Sequence, residues 1–178
     1  MISILALLLQ AAPAPAAVAS WAVAERPNTN PGVTSILASV SSADGSKLAV
    51  RCDASKMNIV SVQFFSSKPL GGPPTRPVSM TFDANMPMID NWEFAKQGAF
   101  QRDDMAVTTL ASGIAAAKVI KVHTTTIAGE GVDASFAGPG TAAPITQVLK
   151  ACGYALGQPP VRAPVSAPAP DQPNKEDQ

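Results

Sequence analysis

The chain has 178 residues with 13 basic and 13 acidic side chains, so its formal net charge is zero. That length suits one domain. The charge balance excludes the basic stripe that nucleic acid demands and the polybasic attraction that holds a protein to anionic lipid. Alanine supplies much of the 46% hydrophobic content, aromatics reach only 5%, and many of the 17 prolines sit at the two ends. The globular part is therefore expected in the middle.

Ile2 to Leu9 form a short apolar run followed by small residues. A spanning helix needs about 20 apolar residues, so this run reads as the h-region of a secretory signal instead. Ala14-Pro15-Ala16 and Ala17-Val18-Ala19 both fit the A-x-A cleavage pattern. The second makes residues 1–19 the signal and leaves Ser20-Trp21 to open the mature chain. The n-region carries no Lys or Arg, and no cysteine lies near either cleavage site to anchor a lipid.

Trp21 and Val23 open the first strand, and Val33–Val40 reads as the second. Asp44-Gly45 is a turn signal. In Lys47–Cys52, Leu48, Val50 and Cys52 share one face while Lys47, Ala49 and Arg51 share the other, which predicts a half-buried strand and a hairpin with its predecessor. Ile59–Phe65 is apolar nearly throughout and predicts a strand covered on both faces. Gly71-Gly72-Pro73-Pro74 reads as a turn. Val78, Met80 and Phe82 then alternate with Ser79 and Thr81. The stretch "FDANMPMIDNWEF", residues 82–94, reads as a loop whose carboxylates face water and whose Trp92 packs inward.

A helix is capped by Asp103 or Asp104, whose carboxylate accepts from free N–H groups of the first turn. Val107, Leu110, Ala111 and Ile114 recur at helical spacing, and Gly113 weakens the end. Val119–His123 and Val132–Phe136 predict two strands joined across "TTTIAGEG". A last helix follows "GPGT", with Pro144 in its first turn, Ile145, Val148, Leu149 and Cys152 on one face, and Gly153 as its stop. From Gln158 the prolines and charges cannot bury enough apolar surface to offset ordering entropy, which predicts an extended tail over residues 158–178. Residues 20–157 then form one domain. The fold class expected is mainly β or α+β, a β-sandwich-like antiparallel domain with one or two helices.

Cys52 faces inward from a strand and Cys152 inward from the last helix. With a secretory signal and no third cysteine, a disulfide between them is the natural reading. Such a bridge closes a loop of about 100 residues, worth up to about 4.7 kcal/mol in the chain-entropy model. It would link the last helix to a strand.

Chemistry is sparse. G-x-S-x-G, S-x-x-K, H-E-x-x-H, a dinucleotide fingerprint and a P-loop are all absent. His123 is the single histidine, and no neighbouring motif supplies the partner and nucleophile that a general base requires, so it reads as a solvated surface residue. Asp83, Asp90 and Glu93 around Trp92 resemble a paired-carboxylate glycan site, an alternative that makes the chain a small secreted hydrolase. Met86 and Met88 offer thioethers suited to Cu(I), a further alternative as a periplasmic metal binder. Neither alternative displaces a non-enzymatic binding domain without catalytic residues, metal or cofactor. Its contact surface is placed on the loop from Leu70 through Pro74 and Arg76 and on the Trp92 stretch.

The order of landmarks carries a resemblance: Trp21, then "LAVRC" ending at Cys52, "VSMTFD", Trp92, a helix, "VDASFAG", and a terminal helix closing on "ACG". Over residues 20–155 this resembles the VasI/TagO-like family associated with bacterial type VI secretion and, more loosely, the invasion-associated locus B family of envelope proteins. Thr81 stands where that pattern would carry Arg, and Tyr154 where it would carry Trp. The resemblance implies an exported β-rich domain, a cysteine pair at Cys52 and Cys152 linking strand to final helix, and no known catalytic residue. The expected location is then periplasmic or secreted, with an envelope or secretion-system protein as partner, no nucleic acid, and no transmembrane helix after signal cleavage.

Overall fold

The computed structural model describes residues 20–28 and 30–160; the signal expected over residues 1–19 and all but the first three residues of the tail expected over 158–178 lie outside the described residues. Nine strands and two helices follow one another as β1 (Ala22–Pro27), β2 (Thr34–Ser41), β3 (Lys47–Ala54), β4 (Ile59–Phe65), β5 (Arg76–Phe82), β6 (Met88–Ala95), β7 (Gly98–Gln101), α1 (Asp104–Ala116), β8 (Val119–Thr125), β9 (Gly131–Ala137) and α2 (Ala143–Ala151). The sheet order is β1-β2-β3-β4-β7-β6-β5-β8-β9, and every neighbouring pair is antiparallel.

The β2–β3 hairpin forms where Asp44-Gly45 announces it. Gly45 sits at φ 87°, a region that costs a residue without Cβ nothing. The Asp44 carboxylate accepts from the hydroxyls of Ser42, Ser46 and Ser67 and from the Ser46 N–H. The Ser42 bond above all holds its pKa below the usual carboxylate value. β5, β6 and β7 are successive hairpins, and β7 returns beside β4, a Greek-key arrangement.

The loop expected over residues 82–94 is a correction: its second half is β6, which pairs with β5 and β7. Asp90 occupies an inward-parity position there, between Met88 and Trp92, and so breaks the apolar alternation that marks a half-buried strand. The following turn, Lys96-Gln97, joins paired residues Ala95 and Gly98, with Lys96 at φ 55°. Neither residue is the Asn or Gly that such two-residue turns favour, so the hairpin carries no turn signal. Trp92 does pack inward, 1% exposed.

The sheet curls until its ends approach. The Trp21 indole, ahead of β1, donates to the Ala137 carbonyl of β9 at 2.8 Å. Phe64 of β4 meets Phe136 of β9 edge-to-face, with ring centroids 6.2 Å apart. The inward residues of both halves therefore share one core with the apolar faces of the helices. α1 packs on β4 and α2 on β1, β2 and β3. Cys52 of β3 and Cys152 at the end of α2 form the disulfide, with Cα atoms 5.8 Å apart. The chain is thus a β-sandwich-like antiparallel domain with two helices, the last bridged to a strand. Among the described residues, no helix is long and apolar enough to cross a membrane.

Candidate functional site on the outer face of β5, β8 and β9

Strand alternation divides β5, β8 and β9 cleanly. Met80, Phe82, Ile120, Val122, Val132 and Phe136 point inward and are buried, and the polar residues between them point out. Register then arranges the outer set in two rows across the three strands. Ser79 pairs with His123 and His123 with Asp133; Thr81 pairs with Lys121 and Lys121 with Ser135. Directly opposite residues have Cβ atoms about 4.5–5.5 Å apart, so each row is a contiguous line of side chains. Together they line an open hollow of about 440 Å³. Ile89 of β6 lies opposite Ser79 and extends the first row with an exposed apolar side chain.

Inside the hollow, His123 Nδ1 lies 2.8 Å from Asp133 Oδ1. A carboxylate only accepts, so Nδ1 donates. The Ser79, Thr81 and Ser135 hydroxyls and the Lys121 ammonium have no hydrogen-bond or ion-pair partner among the described residues. His123 is exposed, as expected, but the reading that it lacks an orienting partner is corrected by Asp133. The signal was present in the hairpin: counting outward symmetrically from the β8–β9 turn brings residues 123 and 133 face to face.

Ser79, His123 and Asp133 in one row carry the residue types of an acyl-transfer triad. The row lacks the rest of that machinery. β5 is paired on both sides, with β6 and with β8, so its backbone N–H groups belong to the ladder. None is left beside Ser79 to stabilise an oxyanion. What the arrangement does offer is a set of hydrogen-bonding groups with unused capacity.

The residues chosen from sequence for a contact surface divide differently. Leu70 and Trp92 are core side chains, 0% and 1% exposed, and present nothing to a partner. Pro74 is exposed. The Arg76 guanidinium is turned onto its own loop, donating to the carbonyls of Leu70 and Gly72 at 2.8 Å each and to that of Thr125 at 3.3 Å. It also lies 3.8 Å over the Phe94 ring. Burial pushes its pKa down from the usual arginine value. Arg76 is therefore a staple between the 70–74 loop and β8. Arg76→Lys, which keeps the charge but loses the planar fork, is expected to lower stability by about 2 kcal/mol in urea unfolding.

The three carboxylates do not converge. Asp83 accepts from the backbone N–H groups of Lys118 and Val119, 2.9 Å each. Asp90 accepts from the Gln101 amide, and Glu93 pairs with Arg102. Asp90 and Glu93, three residues apart on β6, point to opposite faces. Met86 is 87% exposed whereas Met88 packs against the core. Among the described residues, no group of three or more His, Cys, Asp or Glu side chains gathers to hold a metal. Comparison with family models, with curated proteins and with solved structures returned no match.

Proposed function

We propose that the protein is an exported, non-enzymatic domain of the bacterial envelope that captures its ligand or partner through the hollow on β5, β8 and β9. The observation that carries this reading is the set of unpartnered hydroxyl and ammonium groups aligned by register over one open face. Fully partnered polar groups elsewhere, such as those around Asp44 and Arg76, stabilise the fold and have nothing left to offer. The disulfide supports the export part, because such bridges persist in oxidising compartments. The resemblance to VasI/TagO-like proteins makes an accessory role in type VI secretion the specific form of the proposal.

Export is tested by the native N-terminus. A mass corresponding to a start at Ser20 in the envelope fraction is expected, and an intact Met1 in the cytoplasmic fraction refutes it. Capture is tested with a photocrosslinking residue at Ser135, in the hollow, and at Ser39, on β2. Adducts in cells from position 135 and none from 39 are expected. Equal labelling, or none, removes the hollow as the binding face.

A further inference from the structure

We infer that the hollow is a site for a tetrahedral oxyanion, the phosphoryl group of a small phosphorylated molecule or of a lipid headgroup. The inference rests on the reading of this face as the binding surface and names what it takes. Of the Lys, Arg, Asp and Glu side chains, Lys121 and Asp133 line the hollow. Asp133 is engaged by His123 Nδ1, and Lys121 has no ion pair among the described residues. Lys121 is therefore the charged group of the hollow that has no partner among the described residues.

Donors surround that charge. Thr81 and Ser135 flank Lys121 on the two neighbouring strands, and Ser79 stands in the adjacent row. Strands lie about 4.8 Å apart and same-face residues along a strand about 6.7 Å apart, so an anion held by the Lys121 ammonium has hydroxyl donors on both neighbouring strands. A carboxylate has two oxygens and leaves part of this set unused, whereas a phosphate presents oxygens in several directions at once. No Phe, Tyr or Trp lines the hollow, so a neutral sugar finds no broad stacking platform there. Recognition falls to charge and hydrogen bonding, which salt weakens on an open face.

The test uses the whole oxidised domain, isotope-labelled for amide NMR, titrated with inorganic phosphate and separately with acetate at equal ionic strength. Saturable shifts at Thr81, Lys121 and Ser135 are expected with phosphate, with acetate weaker. Lys121→Ala is expected to weaken phosphate binding about tenfold or more, the loss of one charge-assisted contact. Lys118→Ala, an exposed lysine outside the hollow, is expected to leave it unchanged. Co-sedimentation with phosphatidylglycerol vesicles separates the sources: retention lost in Lys121→Ala assigns a lipid headgroup, and no retention alongside the phosphate shifts assigns a soluble phosphorylated molecule. Absence of saturable shifts, shifts that persist in Lys121→Ala, or acetate binding as tightly as phosphate overturns the inference. Crosslinking at Ser135 without any phosphate response overturns it too, while the binding reading stands.

Discussion

Replacing Cys52 and Cys152 together with alanine is expected to lower stability by about 3–5 kcal/mol. The two residues lie 100 positions apart, and a cross-link over that length removes much of the freedom of the unfolded chain. The local need is equally clear. α2 has nine residues, and its N-cap Ala142 makes no side-chain hydrogen bond to the free N–H groups of the first turn. A helix that short is marginal alone. It holds through Ile145, Val148 and Leu149 against the sheet and through the bridge at its end. Urea unfolding of the double variant, and of the native protein with and without reductant, measures the effect. Removal of residues 161–178 serves as the comparison and is expected to change the midpoint little. Equal midpoints for the native protein and the double variant would refute the expectation.

Gly138→Ala is expected to cost about 3 kcal/mol or more, or to prevent folding, although glycine and alanine differ by one methyl group. Gly138 follows β9 and donates its N–H to the Lys118 carbonyl at 2.8 Å. A Cβ there would stand 1.7 Å from the Ala117 carbonyl oxygen and 2.6 Å from its carbon. These are backbone atoms at the C-terminal cap of α1, where the chain turns into β8, so they cannot swing aside as a flexible side chain does. Gly72→Ala is the matched control: nothing lies within 4 Å of the added carbon. It is expected to stay within about 0.5 kcal/mol. Thermal unfolding of the two variants side by side decides the matter, and similar melting temperatures would refute the clash.

Most of the fold was legible because most elements keep their period. β3, β5, β8 and β9 alternate, α1 and α2 repeat at helical spacing, and the two cysteines fall on inward positions of elements so identified. The Asp103 carboxylate does cap α1, accepting from the N–H groups of Met105 and Ala106 at 3.0 Å. β6 and β7 were hidden for two separate reasons: Asp90 interrupts the inward row, and Lys96-Gln97 makes a turn without turn residues. The site was hidden for a third. His123 and Asp133 are ten residues apart, and only register brings them together. The contact surface placed on Leu70 and Trp92 assumed that large apolar residues were free for partners. With aromatics at 5% of the chain, the interior takes them first.

The indole contact between Trp21 and Ala137 has a consequence for timing. It joins positions 116 residues apart, the bridge joins positions 100 apart, and β4, already paired with β3, finds its second neighbour only in β7, three strands later. A ribosome or a translocation channel releases the chain from its beginning, so β1 to β4 emerge able to pair with one another, while the outer edge of β4, Trp21 and Cys52 still lack their partners. This early meander pairs its strands but leaves its apolar face uncovered until the later elements arrive. Closure comes as one late event, after the final helix has arrived, and a step that waits on such distant contacts is slow. Until then, the strand edges that the finished sheet joins stand open to other chains. The interval between the arrival of Trp21 and that of Cys152 is thus when this protein most needs to be held apart from its neighbours.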